Sequence, residues 1–222
     1  MSTQSASLEE RYELHNRARG SGFVFGGRQR TRALLSATGA SPGLLLDLGC
    51  RDGSLTDALG FDGEDVVGLD IDMESLRAAR SDGRLRGCLA NLWDGRLPFR
   101  SGQFHVVLAG EVLEHLPFPD QIVAEAARVL RDDGSFAGSV PNAYRLRNRL
   151  RFAMGRPFED DPTHLRSFSQ ATLRAMLAAS FGKCTIKPCV GRFAHLWPTM
   201  TANDLVWRAS APVKRAGDPV SR

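Results

Sequence analysis

The stretch Leu44–Gly53, LLLDLGCRDG, constrains the fold more than any other. An apolar run that stops at an acid reads as a short strand covered on both faces, because a half-exposed strand alternates apolar with polar residues. Gly49 and Gly53 follow, and they let the backbone turn tightly with no Cβ in the way of a ligand. Ser54 to Leu59 is helix-forming, so the free N–H groups of its first turn point at whatever sits over the loop. Strand, glycine loop and helix in this order describe a cofactor pocket.

The rest of the chain repeats the alternation. Val66–Asp70 is a second apolar run ending in an acid, and Met73 to Arg80 is helical, with Glu74 early and arginines late to match the dipole. A weaker strand near Arg86–Ala90 follows, then a strand at His105–Ala109, a helix from Pro119 to Leu130, and a strand from Ser135 to Val140 stopped by Pro141-Asn142. Such alternation implies right-handed βαβ units and a doubly wound, mostly parallel α/β sheet with helices on both faces. Ser169 reads as the cap of a helix to Ala179 with Leu173 and Leu177 on one face, and 183–190 and 204–210 read as two last strands. Seven strands result.

Ahead of the first strand, Ser7 and Glu10 form a capping box for a helix to about Arg19, and a second helix spans about Gly27 to Thr38. The expected organisation is an N-terminal helical cap over 1–39 and a main domain over 40–210. Residues 143–168 form an irregular, arginine-rich lid, and 211–222 a flexible tail.

Composition narrows the function classes. The 222 residues carry a net charge of +4, too modest to imply a nucleic-acid partner. No apolar run is long enough to span a bilayer, and the polar N-terminus has no secretory h-region, so a cytoplasmic protein is expected. Cys50, Cys88, Cys184 and Cys189 show no CxxC pairing and no histidines at zinc-like spacing. Buried free thiols are expected, with no metal ligand set.

The dinucleotide fingerprint G-x-G-x-x-G does not fit, since Arg51 and Ser54 stand where its second and third glycines belong. Asp70, at the end of the second strand, is instead placed to accept hydrogen bonds from both ribose hydroxyls of one nucleoside. DLGCRDG, GLDID, ANLWDGRLPF, FHVVLAGEVLEHL and the VPN that ends the fifth strand occur in order, and together they resemble the class I S-adenosylmethionine-dependent methyltransferases. The resemblance is closest to the small-molecule branch that includes quinone-biosynthesis enzymes. It covers about 40–182, with later similarity in DPTHLRSF.

That resemblance implies S-adenosylmethionine as cofactor. Gly49 and Gly53 would pass under its methionyl and ribose parts, Asp47 would anchor the loop and the amino group, and Cys50 and Arg51 complete the loop. Asp70 would hold the ribose, with Ile71 packing on adenine. Asn91 and Leu92 would lie on the adenine side, and Gly110 and Glu111 at the carboxyl edge of the fourth strand. The family usually has glycine where this chain has Arg51, which implies a locally remodelled ligand face.

Methyl transfer is an in-line displacement governed by alignment, and a base is required only for an acceptor that must lose a proton. His115, at the pocket rim, and His164, in the acceptor-side segment, are the catalytic candidates; His105 reads as structural. Tyr12, Arg147, Arg149 and Arg166 are acceptor-side candidates, with Arg147 and Arg149 in an amphipathic segment, and Tyr12 and His15 on the first helix would close over the site as a lid. The arginines suit an anionic small molecule or an anionic membrane surface.

The expected activity is methyl transfer to a small-molecule acceptor at oxygen. The Asn/Asp-Pro-Pro-aromatic signature of base-methylating enzymes is absent, since AGEVLEHL occupies its place. A non-catalytic cofactor-binding partner of a biosynthetic enzyme, and a methyltransferase acting on RNA or protein, remain the rival readings.

Overall fold

A computed structural model describes residues 27–39, 43–157, 161, 163–191 and 197–214. The expected first helix, with Tyr12 and His15, therefore lies outside the described residues, as do His195 and the tail beyond Lys214. The described chain begins with α1 (Gly27–Thr38) and β1 (Leu45–Leu48), followed by α2 (Ser54–Ala58), β2 (Val66–Asp70), α3 (Met73–Ser81) and β3 (Arg86–Leu89). It continues with β4 (Phe104–Gly110), α4 (Pro119–Val129), β5 (Leu130–Pro141), α5 (Leu146–Ala153), α6 (Gln170–Ala178), β6 (Phe181–Cys189), α7 (Pro198–Thr201) and β7 (Asp204–Pro212).

The seven strands form one sheet in the order β3-β2-β1-β4-β5-β7-β6. β1 to β5 are parallel, and β7 runs antiparallel to both β5 and β6. Strand order reverses between β1 and β4, which opens a ligand crevice at the carboxyl ends of those strands.

Each central strand feeds two apolar layers, as the unbroken LLLDL run requires. Leu46 and Leu48 join one cluster with α4 and α6, while Leu45 joins the other with Leu34 of α1 and Leu76 of α3. Val107 and Ala109 of β4 divide from Val106 and Leu108 in the same way. Asp47 alternates onto the Leu45 face and is 1 % exposed, a carboxylate enclosed at the end of a core strand.

Several boundaries differ from the expected ones. α1, read as part of a separate cap, packs on β5 and β7 and belongs to the sheet's own helical layer. Its C-terminal carbonyl at Ala37 accepts from Arg208 of β7 at 2.6 Å, a cation satisfying a helix end. β5 starts at Leu130, pairing with Phe104 before a register shift. β7 runs two residues past the expected Ser210, and Lys214 Nζ then donates to the carbonyl of Ala127 at 2.9 Å.

α6 starts where its sequence says it should. Ser169 Oγ accepts from Thr172 N at 3.1 Å and Thr172 Oγ1 accepts from Ser169 N at 2.9 Å, a reciprocal capping box, while Leu173 and Leu177 are fully buried. α5 inverts the usual logic of an amphipathic helix. Its stripe of Leu146 and Leu150 faces outward, and its buried residue is Asn148, whose Nδ2 donates to Ala143 O at 3.0 Å.

Candidate active site

The glycine loop leaves β1 and is tied to β2. Gly49 N and Cys50 N both donate to Leu69 O, at 2.8 and 3.0 Å, so the chain turns sharply over the neighbouring strand. Gly49 has φ +66°, and a Cβ there would stand 2.7 Å from Val112 Cγ2. Both conformation and space therefore demand glycine.

Arg51 adopts φ +51°, a left-handed backbone that side chains disfavour. Its amide donates to Asp70 Oδ2 at 2.7 Å, a charge-assisted bond that offsets this cost. The conformation explains why glycine suits this position and how an arginine is accepted there.

Asp70 Oδ1 accepts from Asp72 N at 2.9 Å. Burial pushes the Asp70 pKa up to about 6, and the backbone donors pull against it. Asp47 lies behind it; burial and the charge of Asp70 hold its carboxyl well above the usual range. Asp47 Oδ2 has no hydrogen-bond partner among the described residues. A buried acceptor without a donor is costly, and an ammonium group from a ligand would satisfy it.

Two members of the expected cofactor set direct their side chains elsewhere. Cys50 is buried in the core with Leu45 and Leu85, its Sγ tucked over β2 at Gly68, so only its backbone borders the loop. Glu111, with φ +59°, ion-pairs with buried Arg30 of α1 at 3.0 Å. Asn91 caps the turn that follows β3, its Oδ1 accepting from Trp93 N at 3.0 Å, while Leu92 packs into the core. Gly110 ends β4 opposite Leu55 of α2, and Ile71 is half-buried beside the loop.

The two histidines, far apart in sequence, are brought together with ring centroids 4.7 Å apart. His115 sits in the turn after β4, with its carbonyl accepting from Trp93 Nε1 at 3.2 Å. The segment bearing His164 is pinned to that turn by Leu165 N and Arg166 N, which donate to Glu114 O at 2.8 and 3.0 Å. Arg166 reaches back to Pro117 O through its Nε at 3.2 Å. Arg147 and Arg149 of α5 are exposed, and Arg149 Nε donates to Tyr144 O at 2.8 Å.

Sequence reading missed a buried polar group at the same sheet edge. Asp204, at the start of β7, lies near Arg30, Glu111 and Arg145. Burial first, and then Glu111, push its pKa up to about 7 against the pull of both arginines. Burial and Asp204 push the Cys189 thiol up to about 12. No motif marks Arg30 or Asp204; only the burial of one and the strand-end position of the other could have drawn attention to them.

Comparison with known proteins places likenesses on this geometry. Residues 46–138 match the methyltransferase domain family. A probable S-adenosylmethionine-dependent methyltransferase of Mycolicibacterium smegmatis is 34 % identical over 138 residues, 60 % of this chain and 49 % of that protein. The ubiquinone biosynthesis O-methyltransferase of Psychrobacter arcticus is 32 % identical over 119 residues, 51 % of this chain and 45 % of that protein. The chain thus spans about half the length of these curated relatives. Among solved structures, a SAM-dependent methyltransferase from Archaeoglobus fulgidus superposes with TM-score 0.68 at 16 % identity, covering 90 % of this chain and 98 % of its own, a likeness of fold. Residues 46–138 thus resemble a methyltransferase domain, and the strand order of the whole sheet is that of the Rossmann-like methyltransferase fold.

Proposed function

We propose that this protein transfers a methyl group from S-adenosylmethionine to a hydroxyl of a small-molecule acceptor. The carrying observation is the pair of buried acids around the glycine loop, with Asp47 Oδ2 lacking a donor and Asp70 fixed beside the loop amides. Asp47 would take the cofactor's ammonium group and Asp70 its ribose hydroxyls. Gly49 and Gly53 would let the backbone approach the methionyl part. Ile71 and Leu92 would flank adenine, and Asn91 would contribute its amide nitrogen, its carbonyl being engaged in the turn. The bound cofactor supplies an electrophilic methyl on a sulfonium. The protein's part is to hold that methyl in line with the acceptor and to exclude water.

Transfer to oxygen is favoured by the likeness to ubiquinone biosynthesis O-methyltransferases. His115 and His164, in contact at the acceptor side, are the groups suited to handle the hydroxyl proton. Arg147, Arg149 and Arg166 would attract an anionic acceptor or seat the protein on an anionic lipid surface; Tyr12 belongs to the same proposal but lies outside the described residues. Among the described residues, no helix is long and apolar enough to cross a membrane.

Calorimetric titration with S-adenosylmethionine and S-adenosylhomocysteine tests the cofactor reading. Wild type is expected to bind both, and Asp70→Ala to weaken binding about tenfold or more, the scale of one or two charge-assisted hydrogen bonds. Undetectable binding to wild type overturns it. Tight binding with no methyl release across hydroxylated acceptor pools would favour a non-catalytic partner instead.

A further inference from the structure

Glu114, His115 and His164 meet beneath the acceptor-side segment, and we infer that together they bind a divalent transition-metal ion. One ligand atom from each lies within 4.8 Å of the other two. Bonds of about 2.0–2.2 Å put neighbouring ligands about 3–3.5 Å apart, so small side-chain rotations complete the site. Glu114 is 1 % exposed and His115 8 %, and the His164 side chain is 11 % exposed. An enclosed carboxylate between two imidazoles is a poor resting place for water and a good one for a cation.

The surroundings fix the protonation that metal binding needs. His115 Nδ1 lies 3.2 Å from Thr163 O, which can only accept. It also lies 3.1 Å from Thr163 Oγ1, whose own proton goes to Asp161 Oδ1 at 2.6 Å, so this oxygen too accepts from the ring. Both contacts put the proton on Nδ1, and the neutral ring then carries its lone pair on Nε2. This is how metal-binding histidines are oriented by a second layer of hydrogen bonds. On His164, Nε2 lies 3.7 Å from Asp161 Oδ2.

The donor set selects the ion. Two imidazoles and one carboxylate suit Zn²⁺, Mn²⁺, Co²⁺ or Fe²⁺ better than Ca²⁺ or Mg²⁺, which prefer all-oxygen sites. Three protein ligands leave coordination positions open, as in metal sites that bind substrate. Those positions would receive an oxygen of the acceptor and ease loss of its proton, so with metal bound the two imidazoles serve as ligands in place of the base. Metal binding itself is independent of the methyltransferase reading; only this service to the acceptor rests on it.

The test uses the full-length protein stripped with chelator and titrated with Co²⁺, followed by visible absorption, and with Mn²⁺, followed by calorimetry. S-adenosylmethionine titrations and thermal melts run in parallel. Wild type is expected to bind one equivalent with a Kd below about 0.1 mM and to develop the d–d bands of a nitrogen- and oxygen-ligated ion. His164→Ala and Glu114→Gln are each expected to weaken binding about tenfold or more while the affinity for S-adenosylmethionine holds. Absence of d–d bands and of heat with wild type overturns the proposal, as does unchanged metal affinity in His164→Ala. If a variant fails to melt cooperatively, the wild-type stoichiometry and spectrum decide alone. Metal bound without S-adenosylmethionine binding would refute the cofactor reading and leave the metal site standing; the reverse outcome would do the opposite.

Discussion

Asp70 holds the glycine loop through Arg51 N, and in the proposed reading the same carboxylate takes the ribose, so one side chain would set both the loop's shape and its ligand chemistry. Cys50, one residue before that contact, turns inward, and its sulfur determines what β2 can carry. A Cβ at Gly68 would lie 2.5 Å from Cys50 Sγ and 2.8 Å from Leu85 Cδ2. Gly68→Ala is therefore expected to cost about 1–3 kcal/mol through overpacking, measured by urea unfolding. In a Cys50→Ala background the same change should cost about 1 kcal/mol less, since the sulfur that clashes is gone. Strict additivity of the two substitutions would show that the sulfur is not what excludes a side chain. At this scale the sequence was legible wherever a residue was chemically out of place. Asp47 and Asp70 each end an apolar run, and an acid there calls for a ligand. The inward turn of Cys50 and the ion pair of Glu111 were not legible, because side-chain direction depends on strand alternation and on a left-handed φ, neither of which residue identity reveals.

Among the elements, α5 departs furthest from the pattern of a core helix. Its Leu146 and Leu150 are exposed, and the neighbouring Phe152 is 71 % exposed, while Arg147 and Arg149 project from the same short helix. From Gly134 to Phe158 the sequence holds five arginines and no acid, so the segment presents positive charge beside apolar surface. Within the proposed anionic contact, each arginine near a charged surface is worth about 1 kcal/mol. Reversing Arg147 and Arg149 to Glu should then weaken binding to phosphatidylglycerol vesicles, or raise the acceptor KM, about tenfold or more, with binding of S-adenosylmethionine unchanged. Unchanged vesicle binding together with an unchanged KM would reduce α5 to a solvated surface helix. The periodicity of α5 was visible in the sequence but not which face would be buried, because Asn148 is drawn inward by the Ala143 carbonyl and leaves the leucines outside. α6 was read correctly, since its cap and its buried leucines favour the same register.

For the whole molecule, the alternation of runs and helices carried the doubly wound sheet, yet β7 sits between β5 and β6 and runs against both. No local pattern encodes that insertion; it follows from closing the sheet with the last strand. Its consequence is electrostatic, because β7 brings Asp204 to the edge where α1 delivers Arg30, the turn after β4 delivers Glu111, and the segment after β5 delivers Arg145. Cys189 of β6 completes the surroundings, and with its pKa raised to about 12 it stays neutral at ordinary pH. Four charged groups from different parts of the chain thus tie α1 to the sheet, and the balance among them depends on whether Asp204 holds a proton. Its folded pKa of about 7 stands above the unfolded value of about 3.9. Between these values the folded state binds a proton that the unfolded chain has lost, so this group's contribution to stability falls as pH rises from about 4 to about 7. Asn cannot titrate and mimics the protonated acid in shape. Unfolding free energies at pH 5 and pH 8 are therefore expected to favour Asp204→Asn over wild type more strongly at pH 8, by about 1 kcal/mol or more. An equal difference at the two pH values would mean that Asp204 is ionised throughout, with the arginines outweighing both its burial and the repulsion from Glu111.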